Sequence, residues 1–419
     1  MSSNTLSMRK ELNNTRAFLI WLVAASFYFY EFLLQVSPGV MVQEVMLSFH
    51  VTAKQVGYLA TWYFIAYAAM QIPAGALLDH FGPKILLSLA ALCCSVGTLL
   101  FALTHSFAIL ELSRFITGLG SSFAMLGTLV IAATLFPPHR FALFSGMLLT
   151  IGMLGAIFGE KPLALLLAAY GMRDTLLIFF VIGLGLSVLL FFSIYRKEKK
   201  LTTITKPFAG IKQIFTSKQS WAVAIYGSLI YGTTATLGAI WGVSFLRITY
   251  GFSNPQAAGY ISMIFVGWAV GSPVFGLISD SLRKRKPTLY LSALLSFIVL
   301  SIILYYPHLH HGLLAILFIA FGVTSSAFLP AFSIARELHP AEYSGTALGL
   351  MNMLNSLGGA LIPPIVGIIL EKNNPYAQDI LHYTAKNFKD ALIILPIVLL
   401  VALLLVPYIK ETHCKVAKH

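Results

Sequence analysis

Four ionisable side chains lie inside long apolar stretches of this 419-residue sequence: Glu31, Arg114, Glu160 and Lys161. A charged group in hydrocarbon costs about 3 kcal/mol or more, so such residues face a cavity, a solute or one another. A carboxylate in that position can take up and release a proton, and a guanidinium can hold a carboxylate. These four are therefore the candidate chemical groups of the protein.

Glu31 is the first candidate for a proton carrier. It lies about 14 residues into the first apolar stretch, which at ~1.5 Å per residue places it near the middle of a membrane. Tyr28, Glu31 and Gln35 are three and four residues apart, so they share one face of a helix. The alternative is a structurally paired glutamate that never titrates. Glu160 is the second candidate.

Arg114 is the strongest single candidate for solute binding, because its guanidinium must find a cavity or a carboxylate. Glu160 and Lys161 are adjacent, about 100° apart around a helix, so they cannot point the same way. Two arrangements stay open: Glu160 pairs with Arg114, or Lys161 meets a carboxylate of the solute.

Neutral polar and aromatic residues dominate the second half of the sequence. Tyr231 and Trp241 follow helical spacing, as do Asn352 and Asn355, and Tyr67 comes from the second apolar stretch. They predict a hydrogen-bonding wall opposite the charged first half, although an aromatic stripe is more often packing than binding. The candidate solute-binding residues are Tyr28, Glu31, Gln35, Tyr67, Arg114, Lys161, Tyr231, Trp241, Asn352 and Asn355.

The composition is that of a protein whose solvent is a lipid bilayer. Hydrophobic residues make up 58% of the chain and charged residues 10%, whereas about 25% of a soluble domain is charged. Stretches long enough to cross a bilayer recur with short polar gaps between them. We predict an all-α membrane protein with twelve spans, at 17–41, 56–78, 85–103, 107–136, 141–170, 175–195, 221–245, 258–279, 289–306, 313–338, 343–370 and 391–408.

A basic segment at 196–220 is the one long polar interruption, and it divides the chain into two halves. The predicted units are an N-terminal tail (1–16), a six-helix bundle (17–195), a linker (196–220), a second six-helix bundle (221–408) and a C-terminal tail (409–419). The halves also repeat: Gly75 to Asp79 after the second span is echoed by Gly276 to Asp280 after the eighth. Such repeats are typical of transporter folds.

The distribution of basic residues predicts the orientation. If the N-terminus is cytoplasmic, 20 of the 28 Lys and Arg residues lie in cytoplasmic segments and six on the other side. The positive-inside rule therefore places both termini in the cytoplasm. We expect a multi-pass protein of the bacterial inner membrane that acts as a monomer in contact with lipid.

Several other classes are disfavoured. The net charge of +13 is spread over short loops rather than one face, which argues against a nucleic-acid partner. Cys93, Cys94 and Cys414 form no disulfide framework, and the histidines lack metal-ligand spacing, so we expect no metal and no cofactor. No phosphate-binding loop and no catalytic constellation is present, so we expect no enzyme.

The segment Gly75-Ala-Leu-Leu-Asp79-His80-Phe-Gly82-Pro83-Lys84 resembles the loop signature of the major facilitator superfamily, with His80 and Pro83 replacing two customary arginines. A degenerate copy runs from Gly276 to Lys286. The resemblance implies that fold over the whole chain. The helix-four stretch from Arg114 to Gly120 is similar to another motif of the family, whereas the fifth span lacks the Gly-Pro pair of its antiporters.

The resemblance also implies a set of gating residues. In the family, the aspartate that matches Asp79 is thought to dock on the N-terminus of helix eleven, where unpaired amides favour an anion. Docked in this way, Asp79 would hold the cytoplasmic side shut in the outward-open state. The alternative is that Asp79 and Lys84 only end a helix at a tight glycine turn. The predicted gating residues are Asp79, Gly82, Lys84, Arg140 and Asp280.

The expected function is secondary active transport by alternating access. The stretch from Tyr28 to Pro38 is similar to the phagosomal nutrient transporters of intracellular bacteria, a branch that carries amino acids or nucleosides. We therefore expect proton-coupled import of a small polar nutrient, with solute and protons as partners. The alternatives are an exporter of drugs or siderophores and a membrane receptor or scaffold that transports nothing.

Overall fold

A computed structural model describes residues 14–137, 140–194, 211–306, 309–340 and 343–415, and these are helical throughout apart from their connections. In chain order the helices are α1 (Asn14–Val36), α2 (Val42–Phe49), α3 (Ala53–Phe81), α4 (Pro83–Leu103), α5 (Phe107–Ser121), α6 (Ala124–Leu135), α7 (Phe141–Phe158), α8 (Lys161–Ser193), α9 (Ile211–Thr216), α10 (Lys218–Thr236), α11 (Gly242–Tyr250), α12 (Asn254–Leu282), α13 (Lys286–Tyr305), α14 (His311–Ser326), α15 (Pro330–Glu337), α16 (Ser344–Asn373), α17 (Ala385–Leu392) and α18 (Ile394–Leu405).

Among the described residues, ten helical stretches are long and apolar enough to cross a membrane. One of them, Leu143–Ser193, has 51 residues and contains Gly171 in the left-handed region (φ 76°), where the chain turns between two helices. The 29-residue helix α3 is not among the ten. The all-helical membrane class is confirmed, and the count of twelve spans stays a prediction.

Several predicted spans are interrupted. Short 3-10 or π-helical segments follow α1 at Ser37–Val40 and α10 at Leu237–Trp241. The fourth predicted span consists of α5 and α6, and the fifth breaks between α7 and α8. Periodicity did not reveal these breaks, because the hydrophobic pattern continues across them. Residues 196–210 of the predicted linker lie outside the described residues.

Side-chain contacts distinguish two ends of the helix array. We call the end that holds the C-terminal residues the terminal side and the other end the opposite side. On the terminal side, Gln219 at the start of α10 donates to the carbonyl of Tyr408 near the chain end (2.9 Å). On the opposite side, Gln43 of α2 donates to Asp379, which follows α16 (3.2 Å). The long helix α3 runs antiparallel to α16 between these ends, and Thr61 donates to the carbonyl of Ala360 (2.7 Å).

Glycines of α7 let this helix approach α1 closely. A methyl group at Gly159 would lie 2.8 Å from the carbonyl oxygen of Leu33, and one at Gly155 would overlap the carbonyl of Phe29. Small residues at helix contacts are the usual device for close packing in membranes. Gly155 and Gly159 of the fifth predicted span therefore serve the contact between α7 and α1.

We expect Gly155→Ala to destabilise the protein by about 1 to 3 kcal/mol, because the added methyl must push α7 away from the backbone of α1. Thermal unfolding in detergent measures the effect. Gly146→Ala is the matched control on the same helix, since a methyl there has no neighbour within 4 Å. Equal melting temperatures for the two variants would contradict the packing of α7 on α1.

Candidate functional site

The first helix breaks at the level where Arg114 meets it. Pro38 has no amide hydrogen, so the carbonyl of Leu34 cannot receive the usual helical hydrogen bond from four residues on. Arg114 of α5 donates to that carbonyl through Nη1 (3.0 Å) and to the carbonyl of Gln35 through Nη2 (3.5 Å). The guanidinium thus binds the backbone of a broken helix.

Glu31 is coupled to Arg114 through one tyrosine. The guanidinium lies 4.7 Å from the ring centre of Tyr63, and the Tyr63 hydroxyl donates to Oε1 of Glu31 (2.6 Å). Glu31 is 1% exposed, and its Oε2 is buried without a hydrogen-bond partner among the described residues. One carboxylate oxygen is therefore available for a proton or a solute.

Further tyrosines surround this carboxylate. Tyr28, Tyr67 and Tyr231 all lie close enough to Glu31 to interact with it electrostatically. Gln35 donates to the Tyr231 hydroxyl (2.7 Å), a bond that joins the two halves of the chain. The face predicted from the helical spacing of Tyr28, Glu31 and Gln35 thus lies at the junction of the halves.

An aromatic wall continues this group into the second half. The ring of Tyr231 lies 6.3 Å from that of Trp268 and 6.1 Å from that of Phe64, and the Trp268 indole donates to Ser325 (2.8 Å). Sequence reasoning missed Phe64 and Trp268, because one aromatic residue in an apolar helix resembles any other. Their positions opposite Tyr231 are set by packing.

Other predicted residues lie outside this group. Trp241 is fully buried and its indole donates to the carbonyl of Pro363 (2.9 Å), so it joins the segment Leu237–Trp241 to α16. Lys161 is exposed beside Gly259 of α12. Asn352 is half-buried, whereas Asn355 is buried with its Oδ1 unpartnered among the described residues and lies against Gly227. Trp241 and Lys161 thus lie apart from this group, and their role in solute binding stays a prediction.

The possible ion pair between Glu160 and Arg114 is not formed. Arg114 is engaged with backbone carbonyls, and neither oxygen of Glu160 has a hydrogen-bond partner in the described part of the chain. Glu160 precedes α8 and has non-helical torsions (φ −106°, ψ −105°). The side chains of Glu160 and Lys161 point in different directions because the helix is broken here, and not only because adjacent residues are rotated about a helix axis.

A polar clamp joins the halves on the opposite side. Gln43 of the first half accepts a hydrogen bond from Arg247 (2.7 Å) and donates to Asp379 (3.2 Å), and both partners belong to the second half. Asn254 adds a bond to the carbonyl of Val40 (2.8 Å). Among the described residues, the hydrogen bonds between the halves lie at mid-depth or on this side.

A profile of the Major Facilitator Superfamily matches residues 16–363. The chain belongs to the major facilitator superfamily. It is therefore a multi-pass membrane transporter and not an enzyme, as the loop signature and the composition predicted.

Relatives within the superfamily differ in their solutes. The chain is 25% identical over 378 residues to a probable sulfoacetate transporter, SauU of Cupriavidus necator. The alignment covers 83% of this chain and 86% of that protein. It is 23% identical over 354 residues to the quinolone resistance protein NorA of Staphylococcus aureus, covering 82% and 89%.

Solved structures show the same fold. A bacterial homolog of the human lysosomal transporter Spinster, in an inward-facing and occupied conformation, superposes with a TM-score of 0.79. The match covers 95% of this chain and 97% of that one at 15% sequence identity. At this identity the likeness defines the superfamily fold and leaves the solute open.

The superfamily loop signature lies on the terminal side. Gly82 adopts a positive φ of 79° at the turn between α3 and α4, and Lys84 lies 4.6 Å from the ring centre of Phe191. Arg140 is exposed at the start of α7. The side chain of Asp79 lies outside the described residues, so its predicted docking on helix eleven stays a prediction.

The second copy of the signature is part of a charge network. Arg285 binds Asp280 (2.6 Å) and Glu337 (2.7 Å), and the Glu411 carboxylate accepts from the amides of Arg285 and Lys286 (both 2.8 Å). Partial burial would lower the pKa of Arg285, but the carboxylates of Glu337 and Asp280 outweigh it and raise that pKa. This network ties the C-terminal tail to α13 and α15, and sequence reasoning found only Asp280 in it.

We expect Gln43→Ala to open the opposite side more often, because it removes the amide that bridges Arg247 and Asp379. The loss of these bonds destabilises the closed conformation by about 1 to 1.5 kcal/mol. The population that is open on this side therefore rises roughly tenfold. The reporter is Ala239→Cys, a buried position behind the clamp, in a chain whose three native cysteines are serine. Its rate of labelling by a thiol reagent should rise roughly tenfold, whereas Gln213→Ala on the terminal side leaves the rate unchanged.

Proposed function

We propose that this protein is a proton-coupled secondary active transporter that imports a small polar nutrient, such as an amino acid or a nucleoside, by alternating access. The observation that carries the proposal is Glu31: a buried carboxylate with one unpartnered oxygen, at the junction of the halves, under Tyr63 and beside Tyr231. Solute sites of such transporters lie between the halves near mid-membrane.

The geometry favours a proton and a solute that bind together. The Nη1 and Nη2 atoms of Arg114 donate to backbone carbonyls and only its Nε is unpartnered among the described residues, so Glu31 supplies the titratable charge of the central group. Once protonated, Glu31 becomes a neutral hydrogen-bond donor, and the tyrosine hydroxyls and Gln35 offer further donors and acceptors. A polar solute with several hydrogen-bonding groups suits this set better than a compact dianion.

Alternating access requires the clamp of Gln43, Arg247 and Asp379 to open and close. It is formed here, as is the bond between Gln35 and Tyr231, so this conformation is closed on the opposite side. A solute that contacts Tyr28 and Glu31 from one half and Tyr231 and Trp268 from the other would replace the Gln35 contact. The halves would then rock around the loaded site.

We further propose twelve spans, both termini in the cytoplasm, and residence as a monomer in the bacterial inner membrane. The basic residues of the loop signature and its second copy share the terminal side with the chain end, which supports this orientation. The bundles are proposed to span 17–195 and 221–408. The clamp would then face outward and the network of Arg285 inward.

Export is the second candidate function, favoured by the relationship to a quinolone resistance protein. Import and export differ in the order in which the proton and the solute bind at Glu31. In symport the proton must be present when the solute binds, whereas a cationic drug would displace the proton and leave as it returns. The sign of the pH dependence of binding therefore separates them.

A stabilisation screen of the purified protein against amino acids, nucleosides, organic acids and cationic drugs tests the proposal. A ligand at 100 times its Kd stabilises by about 2.7 kcal/mol. Import predicts a polar nutrient whose binding tightens as the pH falls. A hit restricted to cationic drugs, with binding that weakens as the pH falls, would overturn import in favour of export.

A further inference from the structure

A second carboxylate is enclosed at the break between α7 and α8. Gly159 and Glu160 join the two helices, and the backbone of Glu160 is non-helical. Pro162 lacks the amide that would bond to the carbonyl of Phe158, so the helical ladder cannot continue through this point. Glu160 is therefore fixed by the break itself, immediately before the N-terminus of α8.

The surroundings of Glu160 offer its carboxylate no partner. The residue is 0% exposed, and both oxygens lack a hydrogen-bond partner among the residues described. The preceding Gly159 packs against Leu33 and Val36 of α1, which close the break from that side. The carboxylate is therefore shut off from solvent and has no hydrogen-bond partner among the described residues.

The ionisable groups on the neighbouring elements make no contact with Glu160 that the described residues show. On α1, Glu31 accepts from Tyr63. Arg114 of α5 donates to the backbone carbonyl of Leu34 in α1. Lys161 of α8 points outward along α12. No described titratable group interacts electrostatically with Glu160.

An ionised carboxylate cannot persist in such a place. Burying an unpaired charge costs far more than burying a neutral polar group, and proteins resolve this by neutralising the group. The dipole at the start of α8 offers only a small compensation for an anion. A bound proton would neutralise the Glu160 carboxylate and remove this cost.

We propose that Glu160 is a second proton-carrying site, occupied and occluded in this conformation and separate from Glu31. This inference deepens the proposed function and rests on it, since a second proton matters only in a proton-coupled cycle. The break gives the site its gate: α7 must shift against α1 before water can reach Glu160 and remove the proton. Proton release there is thus tied to movement of the helices.

Labelling with a hydrophobic carbodiimide tests the proposal, because this reagent couples to protonated carboxyl groups inside membranes. The purified full-length protein is treated at about pH 5 and about pH 8, and modified peptides are identified by mass spectrometry. A water-exposed carboxyl with an ordinary pKa of roughly 4 is already mostly ionised at about pH 5, so it labels poorly at both pH values. Glu160 should be labelled equally at both pH values and more strongly than such exposed carboxyls.

Variants make the outcomes distinct. Glu31→Gln should keep full labelling of Glu160, and Glu160→Gln should lose that peptide's label while keeping the melting temperature of the wild type at about pH 8. Glu160 unlabelled at both pH values, or labelled at about pH 5 and no longer at about pH 8, would overturn the second proton site. So would a rise in melting temperature with sodium that Glu160→Gln abolishes, because sodium would then neutralise the carboxylate.

The proposed function fails separately. If Glu31→Gln retains proton-driven uptake while Glu160 labels as expected, the coupling assignment of Glu31 is wrong and the Glu160 site stands. If Glu160 does not label while Glu31→Gln abolishes coupling, the reverse holds.

Discussion

Glu31→Gln is expected to abolish proton-driven accumulation of the solute while exchange of solute across the membrane continues. Glutamine has nearly the same shape and can still accept the Tyr63 hydrogen bond, but it cannot take up or release a proton. Each proton carried down a membrane potential supplies about 2.3 kcal/mol per 100 mV. Its loss lowers the accumulation ratio by about 50-fold per 100 mV.

The measurement uses proteoliposomes with an imposed potential and pH gradient, and a solute found by the stabilisation screen. Counterflow without any gradient reports exchange in the same preparation. Glu111→Gln, a half-buried acid at the start of α5 and outside the central group, is the matched control and should accumulate solute like the wild type. Full accumulation by Glu31→Gln would remove Glu31 from the coupling mechanism.

Arg114→Ala is expected to reduce flux by roughly 100-fold and to destabilise the protein by about 3 kcal/mol. It leaves the carbonyls of Leu34 and Gln35 without their charged donor and removes the cation from the Tyr63 ring. Each charged hydrogen bond is worth about 1.5 to 3 kcal/mol, and 1.4 kcal/mol is a factor of ten in a population. Arg114→Lys should recover only part of the loss, because one ammonium cannot span both carbonyls as the fork does.

A second substitution tests the cause. Pro38→Ala supplies the amide that the carbonyl of Leu34 lacks, so it should restore about 1 kcal/mol of stability to Arg114→Ala. In the wild type, where Arg114 already binds that carbonyl, the same change should bring no such gain. Strictly additive effects in this double-mutant cycle, measured by thermal unfolding, would show that Arg114 does not act through the broken helix.

The first helix illustrates what the sequence could and could not predict. The spacing of Tyr28, Glu31 and Gln35 was enough to place them on one face of α1, because helical periodicity is a local property. The partner of Glu31 was less accessible: Tyr63 was one of several tyrosines of the second span, and only the packing of α3 against α1 singles it out.

Arg114 shows why partners were harder to predict than positions. Its burial followed from its place in an apolar stretch, and a carboxylate partner was the natural expectation. The structure instead gives it backbone carbonyls 80 and 79 positions away, exposed by a proline-broken helix. A carbonyl has no signature in the side-chain sequence, so the pairing could not be read from it.

By itself the sequence determined the solvent of this protein, its all-helical class, the family and the burial of Glu31, Arg114 and Glu160, since all of these follow from composition, periodicity and a local motif. Only the tertiary structure decided that Glu160 lies unpartnered in a helix break, that Lys161 faces outward, and that Gln43 joins Arg247 to Asp379 across 204 and 336 positions. The physical reason is that a charge inside a membrane is defined by whatever group faces it. Which group does so depends on how closely, and at which broken turns, the helices pack.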